Sequence, residues 1–138
     1  MGTNIVTHWY RSPELLLGDQ NFGTGVDAWS LGCLLAELSC RRPLFQGEDE
    51  RHMIQNIFTE LGAPPPGGDL AKLPKFWPER VAAALAAGAA VTPRSHLHRV
   101  ADIEQRRALA TLLQTEPSLR CSVRAAAAQP YWHAPESV

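Results

Sequence analysis

At 138 residues, with 45% hydrophobic and 20% charged side chains, the chain has room for one real core and is too apolar to be disordered. Its 13 basic and 14 acidic residues leave a formal net charge of −1, which supplies no field for nucleic acid or an anionic membrane and excludes both as expected partners. Cys33, Cys40 and Cys121 are an odd set that reads as small buried apolar side chains in a reducing compartment. With no secretory leader apparent, the expected location is intracellular, cytoplasmic or nuclear. Met1-Gly2 is not a myristoylation start, because Val6 stands where Ser or Thr is needed.

Residues 3–17 begin extended and end in a short helix. Pro13 biases Ser12 away from the helical region, Glu14 opens the helical run, and Gly18 stops it. A polar loop over 18–25 leads to the stretch 24–40, TGVDAWSLGCLLAELSC. As a helix it carries apolar or small residues round most of its circumference, with Asp27, Ser30 and Glu37 on one narrow polar face. Such a helix belongs in a core, and it is too short to span a bilayer. Thr24 with Asp27 predicts a start of the capping-box type.

Arg41-Arg42-Pro43-Leu44-Phe45 reads as a turn with an apolar anchor. Residues 48–61 predict an amphipathic helix with Ile54, Ile57, Phe58 and Leu61 on one face, ended by Gly62 and Pro64. The Pro- and Gly-rich stretch 63–79 predicts a long loop, with Phe76-Trp77-Pro78 as an anchor. Residues 81–91, VAAALAAGAAV, have high helix propensity and little bulk to bury, fitting either a surface helix or a biased insertion. Helices are expected over 102–115, with Leu109, Leu112 and Leu113 inward, and over 122–129, capped by Ser122 and stopped by Pro130; Tyr131 and Trp132 offer a closing contact. No strand alternation and no repeat are evident, so the expected fold is mainly α around one buried central helix.

Val6-Thr7-His8-Trp9-Tyr10-Arg11-Ser12-Pro13-Glu14-Leu15-Leu16-Leu17-Gly18 resembles the end of the activation segment of protein kinases, with Ser12-Pro13-Glu14 where that family usually has Ala-Pro-Glu. Val26-Asp27-Ala28-Trp29-Ser30-Leu31-Gly32-Cys33 resembles the family's buried central helix. Arg41 to Gly47 follows in the same order, and Arg120 closes Glu116-Pro117-Ser118-Leu119-Arg120. Trp9-Tyr10-Arg11 points to the group of cyclin-dependent and mitogen-activated kinases, and the central helix with its sequel looks most like the cyclin-dependent kinases. The resemblance is strong over 5–62, patchy over 63–101 and recovers over 102–133. It implies that 1–138 is a partial kinase domain, the helical part of the large lobe with the small lobe absent.

The resemblance also implies roles. Glu14 pairs with Arg120, where the residues read alone would allow two solvated charges. Thr7, Trp9 and Arg11 belong to a loop that receives the residue after the phosphoacceptor; Arg11 occupies backbone there and leaves a pocket suited to proline, which has no N–H to leave unsatisfied. Asp27, otherwise only a capping residue, holds the backbone of the catalytic loop. The complete family domain uses ATP and Mg, acts on a protein substrate and can take a cyclin-like partner.

Phosphoryl transfer in that family needs a Gly-rich loop, a strand lysine, a catalytic Asp with its Asn, and a metal-binding Asp-Phe-Gly, all ahead of the Ser-Pro-Glu position. Only eleven residues precede Ser12. No catalytic, ATP-binding or metal-binding residue is therefore expected in this chain, and it is expected to be inactive alone, with no cofactor of its own. Asn21-Phe22-Gly23 and His98-Arg99-Val100 imitate catalytic motifs but come after Ser12-Pro13-Glu14. Gly23 to Ala28 fits the loose dinucleotide pattern without the strand it requires. The activating phosphosite's position falls on Gly2, beside Thr3. Neither Cys33 with Cys40 nor His96 with His98 has zinc spacing. The alternative is a non-catalytic module that binds protein through the docking face and the 48–61 helix. Without the elements that cover the central helix in the family, part of its apolar surface is expected to be exposed.

Overall fold

A computed structural model of the chain describes residues 8–62, 64–65, 67–77, 79 and 102–129. The expectations for Thr7, for 81–91, and for Tyr131 and Trp132 lie outside the described residues. Lying wholly among the described residues are five α-helices: α1 (Pro13–Leu16), α2 (Gly25–Cys40), α3 (Glu50–Leu61), α4 (Ile103–Leu112) and α5 (Val123–Ala127). Single 3₁₀ turns form at Leu70–Lys72 and Pro117–Leu119. Among the described residues there is no strand.

Local chemistry accounts for most of the boundaries. Pro13 occupies the first turn of α1, where its missing N–H costs nothing, and Gly18 ends the run at φ 90°. Asp49 caps α3 by accepting from the His52 N–H, and Gly62 closes it at φ 91°. Asp102 accepts from the amides of Glu104 and Gln105 to start α4, and Ser122 accepts from Ala125 N–H to start α5. The capping expectation for Thr24 is not met. Thr24 is already in the αR region, and its side chain makes no cap hydrogen bond. At the other end of α2, Arg41 takes the left-handed conformation at φ 62° that glycine usually fills.

α2 is the axis of the molecule. It packs on α4 and α5, while α1 packs on α3. The main core gathers Trp29, Cys33 and Ala36 from α2 with Leu16, Leu17, Leu44, Phe45, Leu70, Leu109 and Leu113, and with the inner face of α3, namely Met53, Ile54, Ile57 and Phe58. Phe76 and Trp77 lie against this core, as the anchor reading of their loop predicts. A smaller cluster joins Ala28, Leu112 and Ala126. Gly32 lets α2 and α4 meet closely, since a Cβ there would lie 2.9 Å from Leu113 Cδ2 and 3.0 Å from Leu112 Cβ. Glu116, buried, accepts from Asp69 N–H at 2.8 Å and so fastens the long loop to the end of α4.

The central helix is not covered all round. Leu34 and Leu38 are 48% and 76% exposed, on the side of α2 away from Trp29 and Ala36. This is the uncovered apolar surface expected from the sequence.

Candidate functional site

The segment from Trp9 to Glu14 lies across α2 and is fastened at three points. The strongest is a clamp between Glu14, on the first turn of α1, and Arg120, just past the second 3₁₀ turn. Arg120 Nη1 donates to Glu14 Oε2 at 2.7 Å and Nη2 donates to Oε1 at 3.0 Å, a two-pronged pair. The remaining donors are also used: Nε to Gln114 O at 2.9 Å, Nη1 to Gly25 O at 2.9 Å and Nη2 to Thr115 O at 3.2 Å. Every N–H of the guanidinium thus has an acceptor. The Arg120 and Glu14 side chains are 0% and 3% exposed, so the pair is buried rather than solvated. The guanidinium sits 5.2 Å from the centre of the Trp29 ring, which in turn stacks on Phe45 at 5.7 Å.

The second fastening is Tyr10. Ser30 Oγ donates to the Tyr10 carbonyl at 2.8 Å, and the Tyr10 hydroxyl donates to Glu37 Oε1 at 2.5 Å. The hydrogen bond to Glu37, helped by burial and by the carboxylate's charge, pushes the Tyr10 hydroxyl up to about 12. Ser30 and Glu37 thereby spend the narrow polar face of α2 on holding this segment. The third fastening is Trp9, whose Nε1 donates to the Gly47 carbonyl at 3.2 Å. Gly47 is required there, because a Cβ would lie 2.8 Å from Met53 N.

Trp9, Arg11 and Glu14, singled out in the sequence, therefore lie on one strip of chain, which Arg120 meets at Glu14. Trp9 and Arg11 are half-buried. Asp27, exposed on α2, shares no hydrogen bond with them. Thr7 lies outside the described residues. Sequence reasoning missed Tyr10, Ser30, Glu37 and Gly47 as positioning groups. The signal was present in two polar residues set into an otherwise apolar helix.

Chemically the site holds its own Trp9–Glu14 segment in place. Burial pushes the Cys33 thiol well above its ordinary range, against a smaller opposing pull from Arg120, which makes it a poor nucleophile. Among the described residues no group of three His, Cys, Asp or Glu could hold a metal ion. No helix among them is long and apolar enough to cross a membrane.

Comparison with known proteins finds one family model and several relatives. The family described as protein kinase domain matches residues 1–132. Cyclin-dependent kinase B2-1 of Oryza sativa subsp. japonica is 37% identical over 139 residues, covering 94% of this chain and 38% of that protein. Cyclin-dependent kinase 7 of Caenorhabditis elegans is 50% identical over 62 residues, 45% of this chain and 19% of the relative. Cyclin-dependent kinase 11A of Homo sapiens is 52% identical over 60 residues, 44% of this chain and 8% of the relative. The chain spans well under half the length of each.

Proposed function

Since this chain belongs to the protein kinase domain family and is similar to cyclin-dependent kinases, we propose that it is the substrate-facing part of the large lobe of such a serine/threonine kinase. The complete domain phosphorylates Ser or Thr ahead of Pro. The Glu14–Arg120 clamp carries this reading, because it seats the Trp9–Glu14 segment on the far end of the lobe, as a substrate platform must be seated. Thr7, Trp9 and Arg11 form the proline-receiving loop. Arg11 donates to backbone carbonyls there, taking the acceptor that an N–H of the residue after the phosphoacceptor would need, so that this residue is best a proline. Trp9 on Gly47 and Tyr10 on Glu37 keep that loop from lifting off α2.

By itself this chain neither binds ATP nor transfers phosphate. The family's Gly-rich loop, strand lysine, catalytic Asp with its Asn, and Asp-Phe-Gly are not found ahead of Ser12 in these 138 residues. In the complete domain Asp27 would hold catalytic-loop backbone, which accords with its exposed position on α2. The partners are a protein substrate and, for the whole kinase, a cyclin-like regulator, in the cytoplasm or nucleus.

Two titrations of the purified chain test the proposal. A fluorescent ATP analogue is expected to show no binding, and micromolar affinity overturns the inactive reading. A Ser-Pro peptide is expected to bind several-fold more tightly than its Ser-Ala counterpart, with Arg11→Ala erasing the difference; equal binding to the intact chain overturns the proline-receiving role.

A second reading has one observation in its favour. A cleft of about 310 Å³ opens beside α3, lined by Arg42, Leu44, Gln46, Asn56, Thr59 and Glu60. Its polar walls suit a protein loop, so a non-catalytic binding module would use this cleft rather than the proline-receiving loop.

A further inference from the structure

The cleft beside α3 has both its walls in one short run of chain. Residues 42–46, leaving α2, pass beside a stripe of α3 that carries Asn56, Thr59 and Glu60, at i, i+3 and i+4 and outside the helix's core face. Every described wall residue lies between Arg42 and Glu60, so the cleft is formed without any element ahead of Ser12. Asn56 Nδ2 donates to the Gln46 carbonyl at 2.7 Å and ties the turn to the helix, which fixes one end of the gap. At about 310 Å³ the space is at the small end of ligand pockets, which run from about 300 to 1,000 Å³. It has room for a few residues of extended peptide rather than for a folded element.

Its hydrogen-bonding groups are unevenly spent. The Thr59 hydroxyl donates to Gln55 O at 2.7 Å, which leaves it only lone pairs to offer. Asn56 keeps one N–H and its side-chain oxygen, and the Gln46 side-chain amide keeps all its capacity. Arg42 is exposed and forms no hydrogen bond or ion pair among the described residues, although Glu60 lines the same cleft. The contrast with Arg120 is direct: there every guanidinium donor is engaged, and here all five are on offer. An unpaired fork beside neutral amides selects a carboxylate carried on a main chain. The fork takes both carboxylate oxygens, while Gln46, Asn56 and Thr59 serve the peptide groups on either side. Glu60 opposes the extra charge of a phosphate, so a single carboxylate is the better match. We infer that this cleft docks a short acidic peptide segment, with one Asp or Glu side chain of the partner seated on Arg42. The inference rests on the cleft given above as the second binding surface, names what fills it, and stands whether or not the proline-receiving loop does.

Fluorescence anisotropy of the purified chain with a labelled Ala-Gly-Asp-Gly-Ala peptide is expected to show saturable binding that weakens with added salt. The Asn counterpart of that peptide is expected to bind about tenfold more weakly, because it loses the charge-assisted pair. Arg42→Ala is expected to cost the Asp peptide the same factor and the Asn peptide nothing. Arg42→Lys keeps the charge but not the fork, and is expected to fall between. Arg42 is exposed, so far-UV circular dichroism should be unchanged in both variants. Arg42→Ala is also expected to leave any preference for Ser-Pro over Ser-Ala peptides as it was, which separates this site from the proline-receiving loop. Equal affinity for the Asp and Asn peptides, an Arg42→Ala chain that still prefers the Asp peptide, or tighter binding of a phosphoserine peptide than of the Asp one overturns the inference.

Discussion

Replacing Arg120 with alanine removes the clamp in one step. The change takes away all five donors and leaves the Glu14 carboxylate, 2% exposed, without a counter-ion. It also deprives the carbonyls of Gly25, Gln114 and Thr115 of a partner and uncovers one face of Trp29. Breaking a buried pair from one side costs about 3–5 kcal/mol, because the stranded charge is paid for in full. An exposed pair would cost at most about 1 kcal/mol. Against a total stability of about 5–15 kcal/mol for a domain, the loss is large enough to unfold a marginal chain. Where the variant still folds, its melting temperature is expected to fall by about 10–20 °C, at a few degrees per kcal/mol for this size. Urea unfolding followed by Trp fluorescence measures the cost directly, since Trp29 lies under the guanidinium. Arg120→Lys keeps the charge but not the fork, and is expected to fall between wild type and alanine. The cycle completed by Glu14→Gln with Arg120→Met should show strong coupling. A cost below about 1 kcal/mol for Arg120→Ala, or additive effects in the cycle, would refute the buried-clamp argument.

Three further outcomes follow from named contacts. Ser12 is fully buried and its hydroxyl has no hydrogen-bond partner among the described residues, so Ser12→Ala is expected to raise stability by about 1 kcal/mol in urea unfolding. Gly32→Ala gains helix propensity of up to about 1 kcal/mol but drives a methyl into Leu112 and Leu113, and overpacking of about 1–3 kcal/mol should make the net change destabilising by thermal melting. Tyr10, raised to about 12 chiefly by its bond to Glu37, keeps its proton in the folded chain at a pH where the unfolded chain has lost it. Stability from this group is therefore complete below about pH 10 and is lost as pH climbs toward about 12. Absorbance titration at the phenolate band, with Tyr10→Phe subtracted, should show that late ionisation, and Glu37→Gln should bring it back down.

Three of the helices were readable because they carry their own punctuation. Pro13 and Gly18 bracket α1, Asp49 and Gly62 bracket α3, and Ser122 opens α5. The partnership of Glu14 with Arg120 was readable only through resemblance, since no local pattern links residues 106 positions apart. Two features were hidden for physical reasons. Thr24 has the right side chain to cap α2, yet its backbone is already helical, and a cap depends on backbone angle that composition does not encode. Glu37 looks like a solvated residue on a polar stripe. Its work is tertiary, because the hydroxyl it receives comes from Tyr10 on a different element. The side of α2 left open could be anticipated in kind but not in place, because Leu34 and Leu35 differ only by the neighbours that other helices bring.

The separation of Glu14 from Arg120 has a bearing on how the polypeptide emerges during synthesis. The first helix and the strip before it are made 106 residues ahead of the guanidinium that secures them. Until that moment the nascent chain carries a carboxylate with no mate and a Trp29 ring with one side bare, and the Trp9–Glu14 strip has only its Trp9 and Tyr10 contacts to hold it. A chain released before Arg120 is translated would hold every part of its platform except the fastener.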